Sequence, residues 1–103
     1  MPRKFRQSIL PVRGFLAFQI LYELRKNRYC GDDLAEILGK KKGGKLTPGT
    51  IYPTLKLLRR KKLLQRTRTG RKKVYMLTPL GKKEYLRLRV LFLHLFKDII
   101  ENS

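Results

Sequence analysis

The sequence predicts a mainly α-helical chain with one small β-hairpin, and three observations carry that expectation. Thr47-Pro48 and Thr78-Pro79 each mark a helix start, because a threonine hydroxyl can accept an orphan amide and proline at the first helical position forfeits no hydrogen bond. Between them, the residues on either side of Gly70 alternate with period two, the mark of a hairpin. Apolar residues recur at helical spacing before, between and after these signals.

Length and charge bound the rest. A chain of 103 residues buries one modest core. Its apolar content of 42% is ordinary, but 26 Lys and Arg against 7 Asp and Glu leave a net charge of +19. The acids are Glu23, Asp32, Asp33, Glu36, Glu84, Asp98 and Glu101, and none falls between Ile37 and Lys83. That middle stretch, nearly half of the chain, is a positive field that repels itself unless a polyanion neutralises it. Nucleic acid is the natural partner. An anionic membrane fits less well, because the cations surround a turn-rich middle and do not form one amphipathic helix. Cys30 and His94 are the only residues of their kinds, so neither a disulfide nor a structural metal site is expected, and no cofactor. The basic amino terminus lacks a signal peptide's apolar run, and Val90 to Phe96 is too short to cross a bilayer. The expectation is a soluble cytoplasmic chain.

Residues 1–10 form a basic arm without clear period. Pro11 opens a first helix to about Lys26, with Leu16, Ile20 and Leu24, joined by Ala17 and Leu21, as its core stripe. Phe15, Phe18 and Tyr22 fall together on its opposite side, a second apolar stripe that calls for a second partner. After a break at Asn27 to Gly31, Asp32 and Asp33 open another helix, as the helix dipole prefers. Leu34, Ile37 and Leu38 give it an apolar face, and Gly39 suits its cap. Lys40 to Lys45 is a basic turn. The helix opened by Thr47 then buries Ile51, Leu55 and Leu58 and turns Thr50, Tyr52, Thr54, Lys56, Arg59 and Arg60 outward. Helix, turn and a second helix with a basic outer face read as helix-turn-helix.

In the hairpin, Leu64, Arg66 and Arg68 alternate with Gln65, Thr67 and Thr69, and Val74 and Met76 with Tyr75 and Leu77. Its tip gathers Arg66, Arg68, Arg71, Lys72 and Lys73. A basic hairpin directly after a candidate recognition helix is a wing. The last helix runs from Pro79 to about Ile100. Its apolar residues span about 260° of the helical wheel, more arc than one buried face needs. Tyr85, Leu88, Phe92, Leu95 and Ile99 fill one face; Leu86, Val90, Leu93 and Ile100 line another, and His94 falls on the exposed polar strip.

At this point the chain resembles the PadR-like transcriptional regulators, a winged helix-turn-helix family. The matching residues are Tyr29-Cys30-Gly31-Asp32-Asp33-Leu34, the run Leu46-Thr47-Pro48-Gly49-Thr50-Ile51-Tyr52-Pro53-Thr54-Leu55, Lys62-Leu63-Leu64, and Arg71 through Gly81. The Thr-Pro-Gly-Thr-Ile-Tyr-Pro run is the specific part. The resemblance implies a homodimer paired by its carboxyl-terminal helix, with recognition helices in successive major grooves and wings on the backbone or minor groove. Thr50, Tyr52, Thr54 and Lys56 would then face DNA, while Arg68, Arg71 and Lys72 serve the wing. The chain is more basic than the family usually is. One helix alone follows the wing, so no small-molecule effector is assigned.

The expected organisation is an arm (1–10), a winged helix DNA-binding domain (11–77) and a dimerisation helix (78–103). Expected DNA contacts are Thr47, Thr50, Tyr52, Thr54, Lys56 and Arg60 from the helix, and Arg66, Arg68, Arg71, Lys72 and Lys73 from the wing. Expected dimer contacts are Phe15, Phe18 and Tyr22 from the first helix, and Leu88, Phe92, Leu93, Leu95, Phe96 and Ile99 from the last. The leading function is a sequence-specific regulator that binds double-stranded DNA as a homodimer. The alternatives are a weakly specific architectural DNA-binding protein and a basic RNA-binding protein, which lacks its expected aromatic stacking surface. An enzyme is not expected, since the basic zone holds no acid, His or Cys to act as base or nucleophile.

Overall fold

A computed structural model describes residues 12–41 and 48–102. Helix α1 (Val12–Lys26) leads into a two-residue strand β1 (Tyr29–Cys30) and helix α2 (Gly31–Lys41). Helix α3 (Pro48–Arg60), strands β2 (Leu64–Thr69) and β3 (Lys72–Leu77), and helix α4 (Pro79–Glu101) follow. The strands form an antiparallel sheet in the order β1-β3-β2. Strand β1 lies where the sequence reads only a break. It pairs Tyr29 with Tyr75 and Cys30 with Val74, a register that no local pattern of two residues can announce.

One core holds the elements together. Leu16, Ile20, Leu21 and Leu24 of α1 meet Leu34 and Leu38 of α2, Ile51, Leu55 and Leu58 of α3, and Leu64 and Tyr75 of the sheet. Helix α2 continues through Gly39 to Lys41, so Gly39 is a buried helical residue and not the cap expected of it. Glu23 is buried in α1 and pairs with Lys41 at the end of α2.

The second apolar stripe of α1 finds its partner within the chain. Phe18 stacks on Tyr85 at 5.5 Å and packs on Phe92 at 4.9 Å, while Phe15 meets Phe92 at 5.7 Å and Phe96 at 6.2 Å. Such offset and edge contacts add to the burial of the rings themselves. Leu88 and Phe92, both 6% exposed, therefore belong to the monomer core. This corrects their expected place in a dimer interface. Phe18, Tyr22 and Leu95 are likewise only partly exposed, packed against that core.

Two corners fix where the recognition helix ends and α4 begins. Lys62 takes a positive φ of 65°, its amide donating to the Arg59 carbonyl (3.0 Å) while the Leu63 amide donates to that of Leu58 (3.0 Å). This is a Schellman close with lysine where glycine is usual. The Thr78 amide then donates to the Leu63 carbonyl at 3.1 Å. The Thr78 hydroxyl donates back to the same corner, lying 2.7 Å from the Lys62 carbonyl and 3.0 Å from that of Leu63, and accepts from the Gly81 amide at 2.9 Å. Thr78 is thus the amino-terminal cap read from the sequence, with Pro79 behind it, and also the latch to the end of α3. Gly81 is required there, because a Cβ would stand 2.1 Å from the Leu63 carbonyl oxygen.

Candidate nucleic-acid interface

Helix α3 buries Ile51, Leu55 and Leu58, so its remaining surface is turned away from the core. Thr50, Lys56 and Arg60 are exposed on it, followed by exposed Lys61 and Lys62. Thr47 lies outside the described residues. Thr54 does not belong to the exposed set. It is 1% exposed, and its hydroxyl lies 3.3 Å from the Thr50 carbonyl, to which it donates. The reason is helical spacing: Thr54 is three residues after Ile51 and four before Leu58, which puts it on the buried stripe. Its expected contact with DNA is corrected to a core position.

Tyr52 is 40% exposed but is already engaged. Its hydroxyl donates to Asp32 Oδ1 at 3.0 Å, and its ring lies so close to Gly31 that a Cβ there would meet it at 2.6 Å. Partial burial and the hydrogen bond to the Asp32 carboxylate together push its pKa up to about 12. Tyr52 is therefore a strut that sets the angle of α3 on α2, with only its outer edge available to a ligand. Asp32 lies twenty positions away in sequence, so local reading offers no signal for this pair.

The wing is a two-residue hairpin. Thr69 pairs with Lys72, leaving Gly70 and Arg71 as the turn. Gly70 takes φ 64° and Arg71 does not share that positive φ, the pattern of a type II′ turn with glycine in its first central place. Leu64, the only buried residue of β2, faces Leu77 at the base. Beyond it Arg66 faces buried Tyr75, and Arg68 faces Lys73 directly. Like charges opposed across a ladder destabilise it. The tip is thus folded against its own repulsion, which a bound polyanion relieves. Residues directly opposite share a face of the sheet, so Arg66, Arg68 and Lys73 project on one side and Lys72 on the other.

A cleft of about 270 Å³ lies where the wing faces the start of α2, bordered by Tyr52, Asp32, Asp33, Arg71, Lys72 and Lys73. The positive field that is unbroken along residues 38–83 of the sequence is thus interrupted in space by two carboxylates. Ten of the eleven expected DNA contacts lie among the described residues, and of these only Thr54 is turned inward. Among the described residues no group of three or more His, Cys, Asp or Glu could hold a metal ion. No helix among them is long and apolar enough to cross a membrane.

Comparison with known proteins agrees with this geometry. The model of the "Transcriptional regulator PadR-like family" matches residues 20–87. No curated protein matches the chain. Among solved structures, the transcriptional regulator BldR from Sulfolobus solfataricus superposes with a TM-score of 0.79 at 19% identity, covering 98% of this chain and 72% of its own. A transcriptional regulator from Clostridium thermocellum gives 0.75 at 20% identity, covering 87% and 93%. A PadR-like transcription factor from Bacteroides fragilis gives 0.73 at 23% identity, covering 88% and 92%.

Proposed function

The chain belongs to the PadR-like transcriptional regulator family, and from that premise we propose that it regulates transcription as a homodimer on double-stranded DNA, α3 in the major groove and the wing on the backbone or minor groove. The family is one of regulators, not of enzymes. The observation that carries the proposal is the joining of two surfaces. Lys56 and Arg60 of α3 and Arg66, Arg68, Arg71, Lys72 and Lys73 of the wing are all exposed, in two elements consecutive in the chain, while Ile51, Leu55 and Leu58 of α3 are spent on the core. In this reading residues 11–77 are the DNA-binding unit, and the exposed part of α4 is the dimerisation element.

The dimer surface is smaller than the helical wheel implies. Leu88 and Phe92 are in the core, Phe18 and Tyr22 pack against it, and Phe15 meets Phe92 and Phe96 edge-on while staying partly exposed. What remains is a stripe of Leu86, Val90, Leu93 and Ile100, bordered by Phe96 and Ile99, all exposed. Repeating at seven-residue spacing from Leu86 to Leu93 to Ile100, this stripe supports a two-helix seam with a second copy. Each large apolar side chain so covered contributes about 1.5–3 kcal/mol. A two-fold dimer of this kind carries its recognition helices roughly 34 Å apart and prefers a palindromic site.

Salt titration of duplex binding tests the proposal. If a dimer neutralises on the order of 6 to 10 phosphates, the log–log slope of affinity against salt is about −5 to −9. A slope near zero overturns it. A second reading, weak sequence specificity, is favoured by one observation: the burial of Thr54 removes one of the few side chains able to read a base edge. Selection of duplexes from a random pool separates the two, since a specific regulator enriches a motif and an architectural protein does not.

A further inference from the structure

The cations of α3 and the wing are not the only concentrated positive charge. At the opposite end of the sheet, an open cleft of about 510 Å³ is lined by Arg25, Lys26, Arg28 and Lys82 above Met76 and Leu77. No acid lines it. It sits at the base of the hairpin, where Leu77 is five strand residues from Lys72 and hence about 16 Å from the turn. Arg71 and Lys72 at the turn are therefore well away from it, while Arg66, opposite Tyr75, is the wing cation nearest to it along the strand.

The cleft is built by the fold and is not an accident of long side chains. Arg25 lies 5.5 Å from the ring centroids of both Tyr22 and Tyr85, and Lys26 Nζ lies 4.3 Å from that of Tyr22. Cation–π contacts of this kind hold a charged head in place before any ligand arrives. Both residues also occupy the last turn of α1, where the helix dipole favours cations. Arg28 and Lys82 are exposed across from them.

We propose that this cleft is a second nucleic-acid surface, which takes the phosphate backbone of another DNA duplex while α3 and the wing hold the first, so that the protein bridges two duplexes. The inference rests on the proposed DNA-binding function. Four cations without a donor–acceptor pattern suit a repeating phosphate chain and carry no base readout. Single-stranded RNA fits less well, because the nearby rings are taken: Tyr85 is buried, and Tyr22 is packed against the core with cations over it. A membrane surface fits less well because the cleft is concave.

A capture experiment tests the bridge. One duplex is immobilised, the full chain is bound to saturation, and a fluorescent second duplex is added. The expected result is retention of the second duplex that falls roughly 100-fold between 50 and 200 mM salt, as about four phosphate contacts require. The double variant Arg28→Gln, Lys82→Gln should lose that retention at least tenfold while binding the first duplex within about twofold and melting at the same temperature. Arg25→Gln should act in the same direction. Unchanged capture by the double variant means that two recognition heads do the bridging, and overturns the proposal. So does binding of the first duplex without the second, or capture of single-stranded RNA or of phosphatidylserine vesicles in preference to duplex. Failure to bind even the first duplex is a different outcome, which overturns the DNA-binding function and this inference with it.

Discussion

Gly81→Ala sets helix propensity against geometry and gives opposite signs. Gly81 is the third residue of α4, and alanine there should favour the helix by up to about 1 kcal/mol. The structure says otherwise, because the added Cβ would meet the Leu63 carbonyl oxygen at 2.1 Å. Ordinary contacts need about 1 Å more, and the obstacle is backbone, so α4 must lift away from the α3 corner. That motion strains three hydrogen bonds at once. They are Thr78 amide to Leu63 carbonyl (3.1 Å), Thr78 hydroxyl to the same carbonyl (3.0 Å), and Gly81 amide to Thr78 hydroxyl (2.9 Å). Weakening the three costs about 3 kcal/mol, at about 1 kcal/mol each. Less the propensity gain, the net loss is about 2 kcal/mol. For a domain of this size that lowers Tm by roughly 8–16 °C. The assay is thermal unfolding followed by circular dichroism at one fixed protomer concentration, since the proposed dimer would make Tm concentration-dependent. A Tm equal to or above that of the parent chain refutes the latch between Thr78, Gly81 and the end of α3.

Other outcomes follow from the same structure. Lys56→Ala should relax preference among duplex sequences by about 1–3 kcal/mol for a lost base contact, whereas Arg71→Gln should weaken all duplexes alike and flatten the salt slope by about one; competition binding across a sequence panel reads both, and Thr54→Val should leave preference unchanged. Tyr52 should ionise near pH 12, seen at 295 nm as the difference between the parent chain and Tyr52→Phe. Its pKa is raised on folding, so the stability it confers is complete below about pH 10 and is lost as pH climbs toward 12; a midpoint near 10 contradicts the Asp32 bond. Leu93→Glu, at a position 64% exposed, should convert a dimer to a well-folded monomer in sedimentation, whereas Phe92→Glu should lower Tm because that ring is in the core; a parent chain monomeric at micromolar concentration ends the dimer proposal.

Much of the fold is legible in sequence because its signals are local. The Thr-Pro pairs announce α3 and α4, the apolar stripes of α1 and α3 name core residues correctly, and Gly70 marks the only tight turn of the wing. The burial of Thr54 is legible as well: its spacing from Ile51 and Leu58 places it on the buried stripe, although its hydroxyl suggests a surface role. Strand β1 is not legible, since two residues carry no period and their pairing with β3 spans more than forty positions.

What the sequence determined by itself is therefore the order of the helices and the hairpin and the sign of their charge, quantities set by neighbours within a few residues. Tertiary structure alone decided which surplus surfaces stay surplus. The aromatic stripe of α1 and the inner face of α4 look like two open patches in one dimension, but closing the chain stacks Phe18 on Tyr85 and sets Phe15 edge-on to Phe92, covering most of both and leaving Phe15 partly exposed. Tertiary structure likewise carried Asp32 to the hydroxyl of Tyr52 and drew Arg25, Arg28 and Lys82, spread over fifty-eight positions, into one acid-free cleft. Burial and Coulomb energy depend on distance through space, and only the folded chain fixes that distance.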